Sequence, residues 1–236
     1  MNTATVPAAN VQRDNYDWEA RRAEKQAAAA AGNHDLVFIG DSITHRFERE
    51  DGGLAVWQRH YGHRRALNLG YGWDCTQNVL WRIENGEFSG QRPKLVVLNI
   101  GTNNLSGNSA CRANTTAEIV AGISAICYLV ERASPETCIL VMSIFPRGRA
   151  DEMIHARVKD LNAALTGWLA TRPRYLHLDI GAQFFGGDGE IDTALLPDRC
   201  HPVEPGYVIW AEALEPLIQR HVDGVQAGES VACVTT

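Results

Sequence analysis

The stretch Asp35-Leu36-Val37-Phe38-Ile39-Gly40-Asp41-Ser42-Ile43-Thr44 decides the reading of the fold. Four consecutive apolar residues of branched and aromatic type, bounded by Asp35 and Gly40, describe a strand buried on both faces, as in a parallel sheet. The run stops at Gly40, so Asp41 and Ser42 fall just past the strand's carboxyl end, the edge where open α/β sheets bind ligands. A helix opening at Ser42 would surround its hydroxyl with the positive N-terminal dipole. Taken alone, Gly-Asp-Ser reads as an ordinary turn with Asp41 or Ser42 as an N-cap.

Working outward, the same pattern of apolar run and polar turn recurs. Arg65 to Leu69 reads as a second strand and leads into Gly70-Tyr71-Gly72-Trp73-Asp74. Leu95 to Ile100 is a third, followed by Gly101-Thr102-Asn103-Asn104; Cys138 to Ile144 and Tyr175 to Leu178 are the fourth and fifth. Helices alternate with them. Tyr16 to about Ala31 is alanine-rich and stops at Gly32-Asn33. Ile119, Ile123, Ile126 and Val130 recur at helical spacing, as do Ile154, Val158, Leu161, Leu165 and Trp168, and the last helix runs from about Pro205 to His221. The segment through Gly52-Gly53 to Tyr61-Gly62 reads as loop-rich. Five strands alternating with helices predict an α/β chain, a three-layer α/β/α sandwich around a five-stranded parallel sheet.

With 236 residues, 45% hydrophobic and 21% charged, the chain can bury one full core. The reading is a flexible arm over residues 1–13, a single domain over 14–222 and a polar tail over 223–236. A net charge of −6 with both signs interspersed leaves no basic stripe, which argues against nucleic acid as a partner. No apolar run is long enough to span a membrane, and Met1 to Asn33 lacks the apolar core of a secretory signal, which points to a cytoplasmic chain. The six cysteines, Cys75, Cys111, Cys127, Cys138, Cys200 and Cys233, include no C-x-x-C pair, so reduced thiols without a disulfide framework are expected.

Each candidate group follows a different strand at one edge of the sheet: Ser42 after the first, Gly70 to Asp74 after the second, Asn103 after the third, Asp198 and His201 after the fifth. Cleavage of an ester or amide through serine needs a base, a group that fixes the base's tautomer, and donors for the oxyanion. His201 is the natural base and Asp198, three residues earlier, its natural orienter, with Pro197 and Pro202 stiffening the flanks. Asn103 offers an amide NH2 to an oxyanion, and Gly101 lets the backbone pass close beneath it. Trp73 and Trp210 read as core or pocket wall, Trp81 and Trp168 as core, and Arg147 as a solvated loop charge. The eight histidines include no pair at i and i+4, so no metal is assigned.

Together these blocks carry a family resemblance. "IGDSIT", "LNLGYGWD", "NIGTNN" and "PDRCHP" resemble, in order and spacing, the four blocks of the SGNH, or GDSL, hydrolases, over about Leu36 to Leu217. Within that family, "LNLGYGWDCTQNVLWRIENGEF", "GTNN" and "FPRG" resemble the catalytic subunits of intracellular platelet-activating-factor acetylhydrolase and their bacterial relatives. The resemblance implies a flavodoxin-like fold, no cofactor, and short acyl esters as small-molecule substrates. It further implies Ser42 as nucleophile, His201 and Asp198 completing a triad, and an oxyanion hole from the Ser42 and Trp73 backbones and Asn103. Asp41, Gly72 and Asp74 would support the site, and a homodimer is suggested. One position departs: the family's second block ends with Gly before Asp, and here that residue is Trp73. If φ is positive there, tryptophan strains the turn. The residues alone leave two other classes open, a silent binding or assembly subunit and a metal-dependent hydrolase using Asp198 and His201.

Overall fold

The structure, a computed structural model, describes residues 1–10, 16–108 and 111–224. Five strands, β1 (Leu36–Gly40), β2 (Ala66–Gly70), β3 (Leu95–Asn99), β4 (Cys138–Met142) and β5 (Tyr175–Leu178), form one sheet in the order β2-β1-β3-β4-β5. Every pairing is parallel, with Gly40 opposite Gly70 on one side and Asn99 on the other. Strand order reverses at β1, so the switch point of the sheet falls at the end of the strand that leads into Ser42.

Along each strand the apolar side chains sort by parity into two cores. Val37, Ile39, Leu67, Leu69, Val96 and Leu98 face α1 (Trp18–Ala30), α4 (Thr76–Arg82), α6 (Thr116–Ala133) and α7 (Met153–Ala170). Leu36, Phe38, Leu95, Val97, Leu140 and Met142 face α3 (Leu54–Tyr61) and α8 (Glu204–Ile218). Period-2 alternation with both faces apolar gives the three layers. Two short helices, α2 (Ser42–His45) and α5 (Thr102–Ser106), stand at the carboxyl edge after β1 and β3. Among the described residues, no helix is long and apolar enough to cross a membrane.

Three expectations are corrected. The segment read as loop-rich contains α3, whose Trp57 and Tyr61 pack on Phe38 and Phe47. Trp81 and Trp168 lie at the rim of their core rather than inside it, while Trp210 is fully buried. Residues 1–10 are packed rather than loose. Ala4 is buried, its carbonyl accepts from Thr76 Oγ1 at 2.8 Å, and Asn10 Nδ2 donates to Asp74 Oδ1 at 2.8 Å. Residues 11–13 of the expected arm, 225–236 of the expected tail and Cys233 lie outside the described residues.

Candidate active site

Ser42 is the first residue of α2, and Asp41 caps that helix by accepting the Ile43 N–H on Oδ1 at 3.0 Å. The helix is only four residues long and passes into a 3₁₀ turn, so Ser42 has free N-terminal amides around it rather than a long macrodipole. Its hydroxyl lies 2.8 Å from His201 Nε2, and His201 Nδ1 lies 2.7 Å from Asp198 Oδ2. A carboxylate can only accept, so Nδ1 carries the proton and Nε2 is left to accept from Ser42.

The turn Asp198-Arg199-Cys200-His201 holds this geometry. Asp198 Oδ1 accepts the backbone N–H of Cys200 at 3.0 Å and of His201 at 2.7 Å, while Oδ2 takes the ring. Desolvation works against its charge, but the bonds from the His201 ring and from both backbones outweigh it and hold the carboxyl well below the usual range. Arg199 sits at φ 54, a left-handed position inside the turn, and its carbonyl accepts from Gly148 N–H at 3.0 Å.

Across the cleft, Asn103 is the second residue of α5 and is 6% exposed. Its Nδ2 donates to the Asp74 backbone carbonyl at 3.0 Å, which orients the amide and leaves one of its two N–H groups for another acceptor. Gly101 precedes it at φ 134, a conformation open to glycine alone. Trp73 does have a positive φ, 67, so the strain foreseen at that position is present. The turn around it is held from several sides. The Trp73 carbonyl accepts from Asn108 Nδ2 at 3.0 Å, and the Gly72 carbonyl accepts from Tyr16 Oη at 3.1 Å and Asn10 Nδ2 at 3.3 Å. A Cβ at Gly72 would meet Tyr16 Cε1 at 2.8 Å, so a larger residue there would push the Tyr16 ring aside. Among the described residues, no hydrogen bond occupies the backbone N–H of Ser42 or of Trp73.

Beneath the turn is a buried charge cluster. Arg82 Nε donates to Asp74 Oδ2 at 2.8 Å, Arg82 also pairs with Glu87, and all three side chains are fully buried. Trp18 Nε1 adds a bond to Asp74 Oδ1 at 3.3 Å. Desolvation nevertheless raises the Asp74 carboxyl to about 6, against the pull of Arg82. Asp41 is raised to about 7, chiefly by burial, with the Ile43 N–H and His201 opposing. Its Oδ2 has no partner among the described residues. His45, in the wall of the cleft, is pushed down to about 3 by burial and by nearby Arg21, Arg49, Lys25 and Arg46, so it is neutral near pH 7.

These groups open into a cleft of about 810 Å³ lined by Tyr16, His45, Trp73, Arg147, Met153 and Arg157 around Ser42 and His201. The structure brings Ser42, His201, Asp198, Trp73, Asn103, Asp41, Gly72 and Asp74 to one edge of the sheet. It corrects the reading of Arg147, whose guanidinium donates to Thr102 O at 3.0 Å and anchors the helix that carries Asn103. Tyr16, Asn108, Arg82 and Glu87 were not singled out in the sequence, since a lone polar residue in a loop or helix shows no period that marks its partner. Among the described residues, no group of three His, Cys, Asp or Glu side chains could hold a metal ion.

The comparisons agree with this architecture. The family model described as GDSL-like Lipase/Acylhydrolase matches residues 38–209. Platelet-activating factor acetylhydrolase IB subunit alpha1 of Homo sapiens is 34% identical over 186 residues, 79% of this chain and 76% of that protein. Among solved structures, a GDSL-like lipase from Bacteroides thetaiotaomicron superposes with a TM-score of 0.67 at 20% identity, covering 85% of this chain and 97% of that one. An acetylxylan esterase from Geobacillus stearothermophilus does so with a TM-score of 0.57 at 19% identity, covering 80% and 94%. The structural likenesses speak for the fold, and the family match and the 34% relative for descent. The chain belongs to the GDSL-like lipase/acylhydrolase family of carboxylic ester hydrolases.

Proposed function

We propose that the protein is a serine esterase that removes a short acyl group, acetyl above all, from an oxygen ester through an acyl-enzyme. The observation that carries this reading is the unbroken series Ser42 Oγ, His201 Nε2, His201 Nδ1, Asp198 Oδ2, with gaps of 2.8 and 2.7 Å. His201 takes the Ser42 proton as the oxygen attacks the carbonyl, and Asp198, ionised and held by three donors, stabilises the imidazolium. The tetrahedral oxyanion is met by the N–H groups of Ser42 and Trp73 and by the second Nδ2 hydrogen of Asn103. His201 then protonates the leaving alcohol and activates water against the acyl-Ser42 ester.

Two things support a small acyl group. Trp73 lines the same cleft as Ser42, and the relatives above carry acetylhydrolase and acetylxylan esterase in their names. The positive φ of Trp73 is the one feature that favours a silent binding subunit instead. Against it stands the connected serine, histidine and carboxylate. Hydrolysis of p-nitrophenyl esters from acetyl to octanoyl tests the reading. Activity that falls steeply beyond the shortest chains supports it, and a preference for octanoyl contradicts the acyl limit.

A further inference from the structure

Cys75 and Cys111 are 36 residues apart in sequence, and their sulfurs lie 2.7 Å from each other. Among the described residues no other two thiols are in hydrogen-bond contact. We propose that this pair is a thiol modification site that closes to a reversible intramolecular disulfide, with a low-molecular-weight disulfide such as oxidised glutathione as co-reactant.

The backbone on each side is held where it is. Cys75 is the N-cap of α4, fully buried, and its N–H donates to Asn78 Oδ1 at 2.7 Å. Cys111 lies on the loop between α5 and α6, where Asn108 N–H donates to its carbonyl at 2.9 Å and its own N–H donates to Asn108 Oδ1 at 2.9 Å. The same Asn108 donates through Nδ2 to the Trp73 carbonyl at 3.0 Å. Bringing the sulfurs together therefore needs no search by either segment. Access is one-sided, since Cys111 is half-buried and Cys75 is closed off from solvent.

That asymmetry assigns the roles. The hydrogen bond from the Cys75 thiol holds Cys111 below the usual thiol range, while the same bond and burial push Cys75 far above it. Cys111 is thus the attacking thiolate. It displaces one thiolate from the small disulfide, RSSR, and becomes the mixed disulfide Cys111–S–SR. Cys75 then attacks Cys111 Sγ, losing its proton and expelling the second RS⁻. The sum is two protein thiols plus RSSR giving the Cys75–Cys111 bond plus two RSH, with the electron pair passing from the protein to the small disulfide.

Its consequence rests on the function proposed above. Cys75 follows the Trp73 turn after β2, and Cys111 lies on the loop that follows α5, the helix carrying Asn103, so the bond would join the two segments that carry the proposed oxyanion donors. Its existence does not rest on that function, because the test reads no ester hydrolysis.

The full chain is reduced, desalted and incubated with oxidised glutathione, then alkylated and digested without reductant for mass spectrometry. The expected result is a linked Cys75–Cys111 peptide pair and a native mass lower by about 2 Da, both reversed by dithiothreitol. The unfolding midpoint of the oxidised form should be higher than that of the reduced form, since the cross-link restricts the unfolded chain. Cys75→Ser should stop at a stable glutathione adduct on Cys111, and Cys111→Ser should give no linked pair. Alkylation of both Cys75 and Cys111 after oxidation, or linkage of Cys111 to a different cysteine, would overturn the proposal. So would a Cys75→Ser chain that leaves Cys111 unmodified.

Discussion

The amide of Asn103, after β3, is fixed by the backbone carbonyl of Asp74, after β2, across 3.0 Å. One N–H of Asn103 is thereby used to set the direction of the other. Replacing the residue removes a donor and also frees the turn that presents the Trp73 N–H. Asn103→Ala should lower kcat roughly 10²- to 10³-fold with a smaller change in KM, the usual loss for one oxyanion donor. Steady-state kinetics on p-nitrophenyl acetate check this, and an unchanged kcat would remove Asn103 from the mechanism.

The cation under that turn is as buried as its partners. Arg82 is ion-paired with both Asp74 and Glu87, and its guanidinium carbon stands 3.9 Å from the centre of the Tyr71 ring. Arg82→Met should destabilise the fold by about 3–5 kcal/mol, because two carboxylates are left in the interior without a counter-charge. Urea unfolding measures it. Adding Glu87→Gln to that variant should restore part of the loss, and a further fall would show that the loss is one of packing.

Asp41 gives stability a pH dependence of defined sign. Its carboxyl is raised from 3.8 to about 7 in the folded chain, mainly by burial. Between those two values the native state holds a proton that the unfolded state releases, so stability is greatest at the acid end and falls as pH rises toward 7. Asp74, raised to about 6, contributes with the same sign over part of the window. Asp41→Asn keeps an acceptor for the Ile43 N–H and cannot ionise. Its unfolding free energy should fall less steeply than that of the wild type from pH 5 to pH 7.5, the difference being no more than about 2.5 kcal/mol. Parallel curves would mean that Asp41 titrates elsewhere.

The sheet was legible in the sequence because both of its faces are buried. Runs such as Leu95 to Asn99 have no polar residue until the strand ends, and each strand end lies within two residues of the place where its run stops. The candidate groups were legible for the related reason that polar residues gather where those runs end. Local pattern failed where tertiary contacts decide. The helix Leu54–Tyr61 is only eight residues long and follows two glycines, and the aromatic cluster of Phe38, Phe47, Trp57 and Tyr61 gives it a partner. The short helix Thr102–Ser106 is written in turn formers and anchored by Arg147, which lies 45 residues away. The N-terminal residues are held by scattered hydrogen bonds, among them Ala8 N–H to Gln77, Thr76 Oγ1 to Ala4 and Asn10 to Asp74, ties that leave no periodic trace. The contact between Cys75 and Cys111 depends on two loops meeting and follows no spacing rule.

Ser42 as the attacking oxygen is the centre of the proposed mechanism. The most direct measurement is the rate of p-nitrophenyl acetate hydrolysis by Ser42→Ala beside the wild type, with circular dichroism showing that the variant keeps its fold. The predicted result is a fall in kcat of at least about 10³-fold, because serine and histidine act as a unit. A folded Ser42→Ala protein within about tenfold of wild-type kcat would contradict it, because triad variants lose far more than that.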